Sequence, residues 1–265
     1  MTWLLFDAGN SALKWALGEP DGSRLSTIGG TLSRSSDLPQ VLTAELKRRV
    51  VSAVDAAFGC SVADRDVAQA VDAAARAACG VPVAWLESQA DFATPELRLR
   101  NGYRNPLQLG ADRWHALLAA RAAYPERALV VVNAGTATTV DCVTASGDFV
   151  GGVIAPGVRL MLDSLARRTA QLPQADGEFV ARPDNTDDAI TTGVLECQLG
   201  LIERRVRRFA AEAGPVLLLL DGGNAPALQS RLAFDAGLVS VRRESDLVLR
   251  GVLIRARGQA LATLR

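Results

Sequence analysis

At 265 residues the chain has room for one large domain or two smaller ones, at roughly 100–200 residues each. Its 29 basic and 29 acidic side chains cancel, which removes the electrostatic reason to expect nucleic acid or an anionic membrane as a partner. Four scattered cysteines (Cys60, Cys79, Cys142 and Cys197) and a single histidine, His115, argue against a zinc site and fit reduced thiols in a cytoplasmic protein.

The N-terminus has no basic stretch and meets a charge at Asp7, so it does not read as a signal peptide. No apolar run approaches the ~18–20 residues that span a bilayer. The chain opens with a strand at Trp3–Phe6, a turn over Asp7–Ser11, and strands near Ala12–Leu17 and Leu25–Thr31. The turn cluster Pro20–Ser23 separates the last two, giving an antiparallel meander. A helical pattern covers Leu38–Ala56, followed by a strand at Ala57–Val62, a helix at Asp64–Ala78 and a strand at Val81–Leu86. Residues 91–109 read as a loop and Gly110–Ala123 as a helix. A second meander follows, with strands at Leu129–Val132, Thr136–Val143 and Phe149–Ile154. Then come a helix after Pro156-Gly157, a loop over Pro173–Asn185 and a long helix at Asp188–Ala211. A strand at Val216–Leu220 and a helix at Leu247–Leu261 close the chain. Strands interleaved with helices predict α/β layering in two related domains, 1–123 and 124–265.

An internal repeat supports that division. Leu5-Phe6-Asp7-Ala8-Gly9-Asn10-Ser11 and Val131-Val132-Asn133-Ala134-Gly135-Thr136-Ala137 each run from apolar strand to Asp or Asn, then Ala-Gly and a small residue. A third variant is Leu219-Leu220-Asp221-Gly222-Gly223-Asn224. Glycine lets the backbone approach a phosphate with no Cβ in the way, and the turn N–H groups donate to phosphate oxygens. A strand-end Asp suits Mg²⁺ held through water. An ordinary hairpin turn is the better explanation of a single copy; two copies at half-chain spacing in two meanders favour phosphate. Neither Lys14 nor Lys47 follows a glycine, so there is no Walker A loop, and the chain contains no GxG and no GxSxG.

Five segments together resemble the type III pantothenate kinases. Asp7-Ala8-Gly9-Asn10-Ser11 resembles their first phosphate motif, and Gly135-Thr136-Ala137-Thr138-Thr139 with Asp141 the second. Gly110-Ala111-Asp112-Arg113 is similar to their GxDR motif, Tyr103-Arg104-Asn105-Pro106 to YxNP, and Gly151–Gly157 to GGxIxPG. The resemblance implies two ribonuclease H-like domains of the acetate and sugar kinase, Hsp70 and actin superfamily, with a cleft between them. It implies ATP-dependent phosphorylation of pantothenate to 4′-phosphopantothenate, the first step towards coenzyme A. It also implies a homodimer that uses Mg²⁺ and a monovalent cation, K⁺ or NH₄⁺. Two positions depart from the family pattern: Asn133 stands where Asp is usual, and Asp221 where Thr often precedes the two glycines.

On this resemblance Asp112 is the general base, although the residues alone better suit an acid complementing a helix dipole. Asp7, Gly9, Asn10, Ser11, Lys14, Gly135, Thr136, Thr138, Gly222 and Gly223 are expected at ATP or its phosphates. Tyr103, Asn105, Gly110, Ala111, Arg113, Thr191 and Thr192 are expected at the substrate, the last two from the partner subunit. Asp7 is the expected water-mediated contact to Mg²⁺, and Asn133 retains an oxygen but no charge. His115 suits packing as well as catalysis. The alternatives are another small-molecule kinase of the superfamily, or a non-catalytic regulatory accessory factor of the same fold.

Overall fold

The computed structural model describes residues 1–22, 24–32, 37–50, 53–168 and 176–263. Ser23 of the expected Pro20–Ser23 turn, residues 51–52 of the first expected helix and residues 173–175 of the expected loop lie outside the described residues. In chain order the elements are β1 (Trp3–Ala8), β2 (Leu13–Gly18), β3 (Leu25–Leu32), α1 (Leu38–Arg49), β4 (Ala56–Ser61), α2 (Arg65–Cys79), β5 (Val83–Trp85), β6 (Asp91–Ala93) and β7 (Arg98–Asn101). There follow α3 (Ala111–Ala123), β8 (Ala128–Ala134), β9 (Ala137–Val143), β10 (Asp148–Pro156), α4 (Val158–Arg168), α5 (Thr186–Ala213), β11 (Val216–Asp221), α6 (Ala225–Gln229), β12 (Val239–Arg243) and α7 (Leu247–Thr263). The chain divides into two compact units, Met1–Tyr124 with Asp246–Arg265, and Pro125–Ser245.

In the first unit the strand order is β3-β2-β1-β4-β5. The first three strands are antiparallel, and β4 and β5 add in parallel. The period-2 alternation of β1 sends Leu4, Phe6 and Ala8 to one face, where they meet Leu38, Leu42 and Leu46 of α1 and Val71, Ala74 and Ala75 of α2. Leu5 points the other way and shares Gly18 with Leu253 of α7. The expected helix Leu38–Ala56 stops at Arg49, because Val50 turns extended and Ala56 must pair with Trp3. Within the expected loop 91–109, β6 and β7 form a short antiparallel hairpin.

The second unit repeats this plan. Its strands β10, β9 and β8 form the antiparallel meander, and β11 and β12 add in parallel to β8. Leu195, Leu199, Ile202, Val206 and Phe209 recur on one face of α5 and cover Val130, Val132, Val140, Leu218 and Leu220 of the sheet. The short strand β12 had no counterpart in the sequence expectations.

The expected second domain, 124–265, differs from the observed unit at its C-terminal end. Helix α7 packs on α3 and on β1 and β4 of the first unit. The contact is tight because residue 251 is glycine: any Cβ there would overlap the His115 backbone carbonyl. Gly251→Ala is therefore expected to destabilise the protein by about 1–3 kcal/mol, the usual range for overpacking. A lowered denaturation midpoint at unchanged m-value checks this.

Candidate active site

In the first unit the site grows from the carboxyl ends of the parallel strands β1 and β4. Asp7 is paired in register with Lys14 on β2 and with Cys60 on β4, so these three side chains share one face. Beyond Asp7 the chain turns through Gly9, Asn10, Ser11 and Ala12, closed by Gly9 N–H donating to the Ala12 carbonyl at 3.0 Å. Asn10 and Ser11 are exposed on this turn. Gly110 brings α3 to the end of β4: a Cβ on it would stand 2.7 Å from Asp112 Oδ1 and 3.6 Å from Val62.

Asp112, one residue into α3, completes a cluster with Asp7 and Cys60. Burial, then the nearby carboxylates of Asp7 and Asp112, push the Cys60 thiol well above its usual range, so this buried cysteine is an inert floor. Burial also raises the Asp112 carboxyl, against the opposing pull of the Arg113 amide and guanidinium. The Arg113 N–H donates to Asp112 Oδ1 at 2.7 Å and fixes its orientation. A carboxylate raised by desolvation and held at a helix start is suited to take a proton.

Arg113 is buried, and its Nη1 donates to the Tyr103 hydroxyl at 3.2 Å. Its guanidinium carbon lies 5.8 Å from the Tyr103 ring centroid. The Tyr103 loop is shaped by Asn101, which sequence reasoning missed: Nδ2 donates to the Gln89 and Pro106 carbonyls, and Oδ1 accepts from Tyr103 N–H. The bond from Tyr103 N–H is a local turn contact two residues on, which the Asn-Gly pair could have signalled, whereas the Gln89 contact lies twelve residues back and has no local signature. Asn105 Oδ1 accepts from Leu107 N–H at 3.2 Å, capping the single 3-10 turn Pro106–Gln108. His115 is buried, donates from Nδ1 to the Ala111 carbonyl at 2.6 Å, and is lowered to about 4 by burial. It is neutral at pH 7 and fully buried within α3.

In the second unit the matching hairpin is one residue shorter: Ala8 pairs with Leu13, but Ala134 pairs with Thr138. Gly135 N–H donates to the Ala137 carbonyl at 3.1 Å. Gly157 N–H donates to the Thr136 carbonyl at 2.8 Å, and Asn224 N–H to the Ala134 carbonyl at 3.0 Å, so the loop is held from two sides. Thr136 is exposed at its tip. Thr138 is fully buried on the α5 side of the sheet, with its hydroxyl unpartnered among the described residues. It does not present that hydroxyl to a ligand.

Asn133 is in register with Asp221 on β11 and with Thr139 on β9, a polar row at the strand ends. Asp221 Oδ1 accepts from Gly222 N–H at 2.6 Å. Gly222 has φ +96°, and a Cβ on it would lie 2.7 Å from Asn133 Oδ1. Gly223 faces open space. The third repeat variant therefore ends a parallel strand ahead of α6 instead of opening a hairpin. On α5, Thr192 spends its hydroxyl on the backbone of Glu178 and Val180. Thr191 is half-buried and points no bond at that segment.

The family model for type III pantothenate kinase matches residues 3–208. The type III pantothenate kinase of Aromatoleum aromaticum is 43% identical over 261 residues, covering 98% of this chain and 99% of the relative. The chain belongs to the type III pantothenate kinase family. Among solved structures, a Baf-family protein described as a transcriptional activator from Campylobacter jejuni superposes with TM-score 0.57 at 20% identity, covering 98% of this chain and 99% of that one. The ethanolamine utilization protein EutJ from Carboxydothermus hydrogenoformans gives 0.54 at 15% identity, covering 96% and 89%. These likenesses establish the fold alone: α/β with two sheets. No helix among the described residues is long and apolar enough to cross a membrane.

Proposed function

We propose that this chain transfers the γ-phosphoryl group of ATP to pantothenate, giving 4′-phosphopantothenate and ADP, the first committed step towards coenzyme A in the cytoplasm. The observation that carries the reading is the Asp112 carboxyl, raised by burial at the start of α3 and grouped with Asp7 around Cys60. Asp112 takes the proton of the attacking hydroxyl. Arg113, braced by Tyr103, offers a planar fork to the pantothenate carboxylate. Gly110 and Ala111 line the same helix start, and Asn105 acts by shaping the loop. Gly9, Asn10 and Ser11 in one hairpin, and Gly135 and Thr136 in the other, donate to phosphate oxygens, with Lys14 adding positive charge across from Asp7. Gly222 and Gly223 leave room for the nucleotide.

Among the described residues no group of three His, Cys, Asp or Glu side chains could hold a metal. Mg²⁺ arriving on ATP with its own waters would be met by the Asp7 carboxylate. When bound, the ion neutralises charge on the phosphates. In the second unit the charge missing at Asn133 is supplied by its register neighbour Asp221. Asp221→Asn is expected to lower kcat/KM for ATP roughly tenfold, about 1.4 kcal/mol of transition-state stabilisation, while Asn133→Asp changes it little. Steady-state kinetics on both variants checks this.

A cavity of about 770 Å³ between α4 and α5, lined by Leu160, Met161, Leu165, Ile190 and Val194, is apolar and open. Ile154 and Leu160 are exposed beside it, 63% and 47%. This face suits a second copy of the chain, with Thr191 near it as the expected contribution to the partner's pantothenate site. The function is tested by offering the purified protein ATP, Mg²⁺ and either pantothenate or a hexose, with K⁺, NH₄⁺ or Na⁺. Phosphopantothenate formed only with pantothenate, and fastest with K⁺ or NH₄⁺, is expected. Hexose phosphate instead, or a folded but inert protein, would overturn it.

A further inference from the structure

A second cavity, of about 550 Å³, lies in the first unit away from the side chains placed at the reaction. Trp85, Leu86, Ser88, Leu107, Arg255 and Gln259 are among its lining residues, and Asp7, Tyr103, Asp112 and Arg113 are not. Its volume is that of a small-ligand pocket and far exceeds the space one water needs. Arg255 reaches it from α7, and its charge is poorly compensated. Its Nε is buried with no hydrogen-bond partner among the described residues. No described carboxylate forms an ion pair with it, and the Phe92 ring centroid lies 5.9 Å from the guanidinium carbon. Leaving a guanidinium partly desolvated without a counter-charge is unfavourable, and an anion in the cavity would offset it.

The rest of the lining narrows the ligand. Trp85, Leu86 and Leu107 provide apolar surface, whereas Ser88 is already committed, its hydroxyl donating to the Leu109 carbonyl at 2.5 Å. Glu87, exposed at the rim, repels a polyanion. We propose that this cavity is a binding site for a small organic anion, a carboxylate or phosphate monoester with a short apolar body, anchored by the Arg255 guanidinium. Leu107 and Leu109 belong to the turn that leads into Gly110 and α3, so an occupant would rest against the segment that carries the Asp112 helix.

The test is thermal unfolding at constant ionic strength, titrating inorganic phosphate, propionate and a short-chain alkyl phosphate against wild type, Arg255→Gln, Arg255→Lys and Asp7→Asn. Wild type is expected to show a saturable rise in Tm with at least one of these anions, and Asp7→Asn the same rise, since Asp7 is outside the cavity. Arg255→Gln is expected to weaken the apparent affinity at least about tenfold. Arg255→Lys, which keeps the charge but loses the fork, is expected to fall between them. A response to propionate alone assigns a carboxylate, and one to the phosphates alone a phosphoryl group. No saturable rise in wild type, or an undiminished rise in Arg255→Gln, would overturn the proposal. If Arg255→Gln does not fold, an Arg255→Lys response equal to wild type overturns it instead.

Discussion

Asp112→Asn is expected to lower kcat by about 10²–10⁴-fold, the usual contribution of a positioned base, while KM for pantothenate changes by less than about threefold. The same variant is expected to unfold at a higher temperature at neutral pH. The sign follows from linkage. Burial makes the folded chain hold the Asp112 proton more tightly than the unfolded chain does. The resulting stability is fully present below the unfolded pKa and is lost as pH rises through the raised folded value. At neutral pH the charged carboxylate is thus a burden on the fold, which an isosteric amide relieves. A variant with lower kcat and higher Tm separates a functional carboxylate from a structural one. Kinetics and calorimetry on the same preparation check both halves.

Gly157→Ala is expected to lower kcat/KM for ATP about 10²-fold, the scale associated with an ångström of misplacement at a reacting group. A Cβ at 157 would overlap the Gly135 carbonyl and lie 2.6 Å from the Thr136 carbonyl oxygen. The chain must then move the loop that presents Gly135 and Thr136, and it loses the 2.8 Å bond from Gly157 N–H to Thr136. The core on α5 is untouched, so far-ultraviolet circular dichroism should match wild type. Gly200→Ala, on the exposed face of α5, is the control: its Cβ meets nothing within 4 Å, and kinetics close to wild type are expected.

The repeat at 5–11 and 131–137 made the two-unit plan legible, because each copy is the first hairpin of a meander and local alternation dictates both strands. Gly110-Ala111-Asp112-Arg113 was legible as a helix start for the same local reason. What the sequence hid depends on distant partners. The clamp from Gly157 onto Thr136 joins residues about twenty positions apart. The carboxylate beside Asn133 comes from Asp221, across a parallel pairing that no local pattern encodes. Helix α7 belongs to the first unit through its packing on α3, β1 and β4, including the close approach of Gly251 to the His115 carbonyl, which no local pattern announces. Thr138 misled, because a Thr in a phosphate-like run reads as a donor whichever sheet face it takes; period 2 places it on the α5 side.

The central claim, that the Asp112 carboxylate accepts the proton during transfer, is tested most directly by the pH dependence of kcat/KM for pantothenate. Wild type should lose activity as pH falls through a value above the ordinary carboxylate range, because burial raises this group and only its ionised form is a base. The residual activity of Asp112→Asn should lack that limb. An acidic limb of the same position in the variant, or a wild-type profile flat down to the ordinary carboxylate range, would contradict the account.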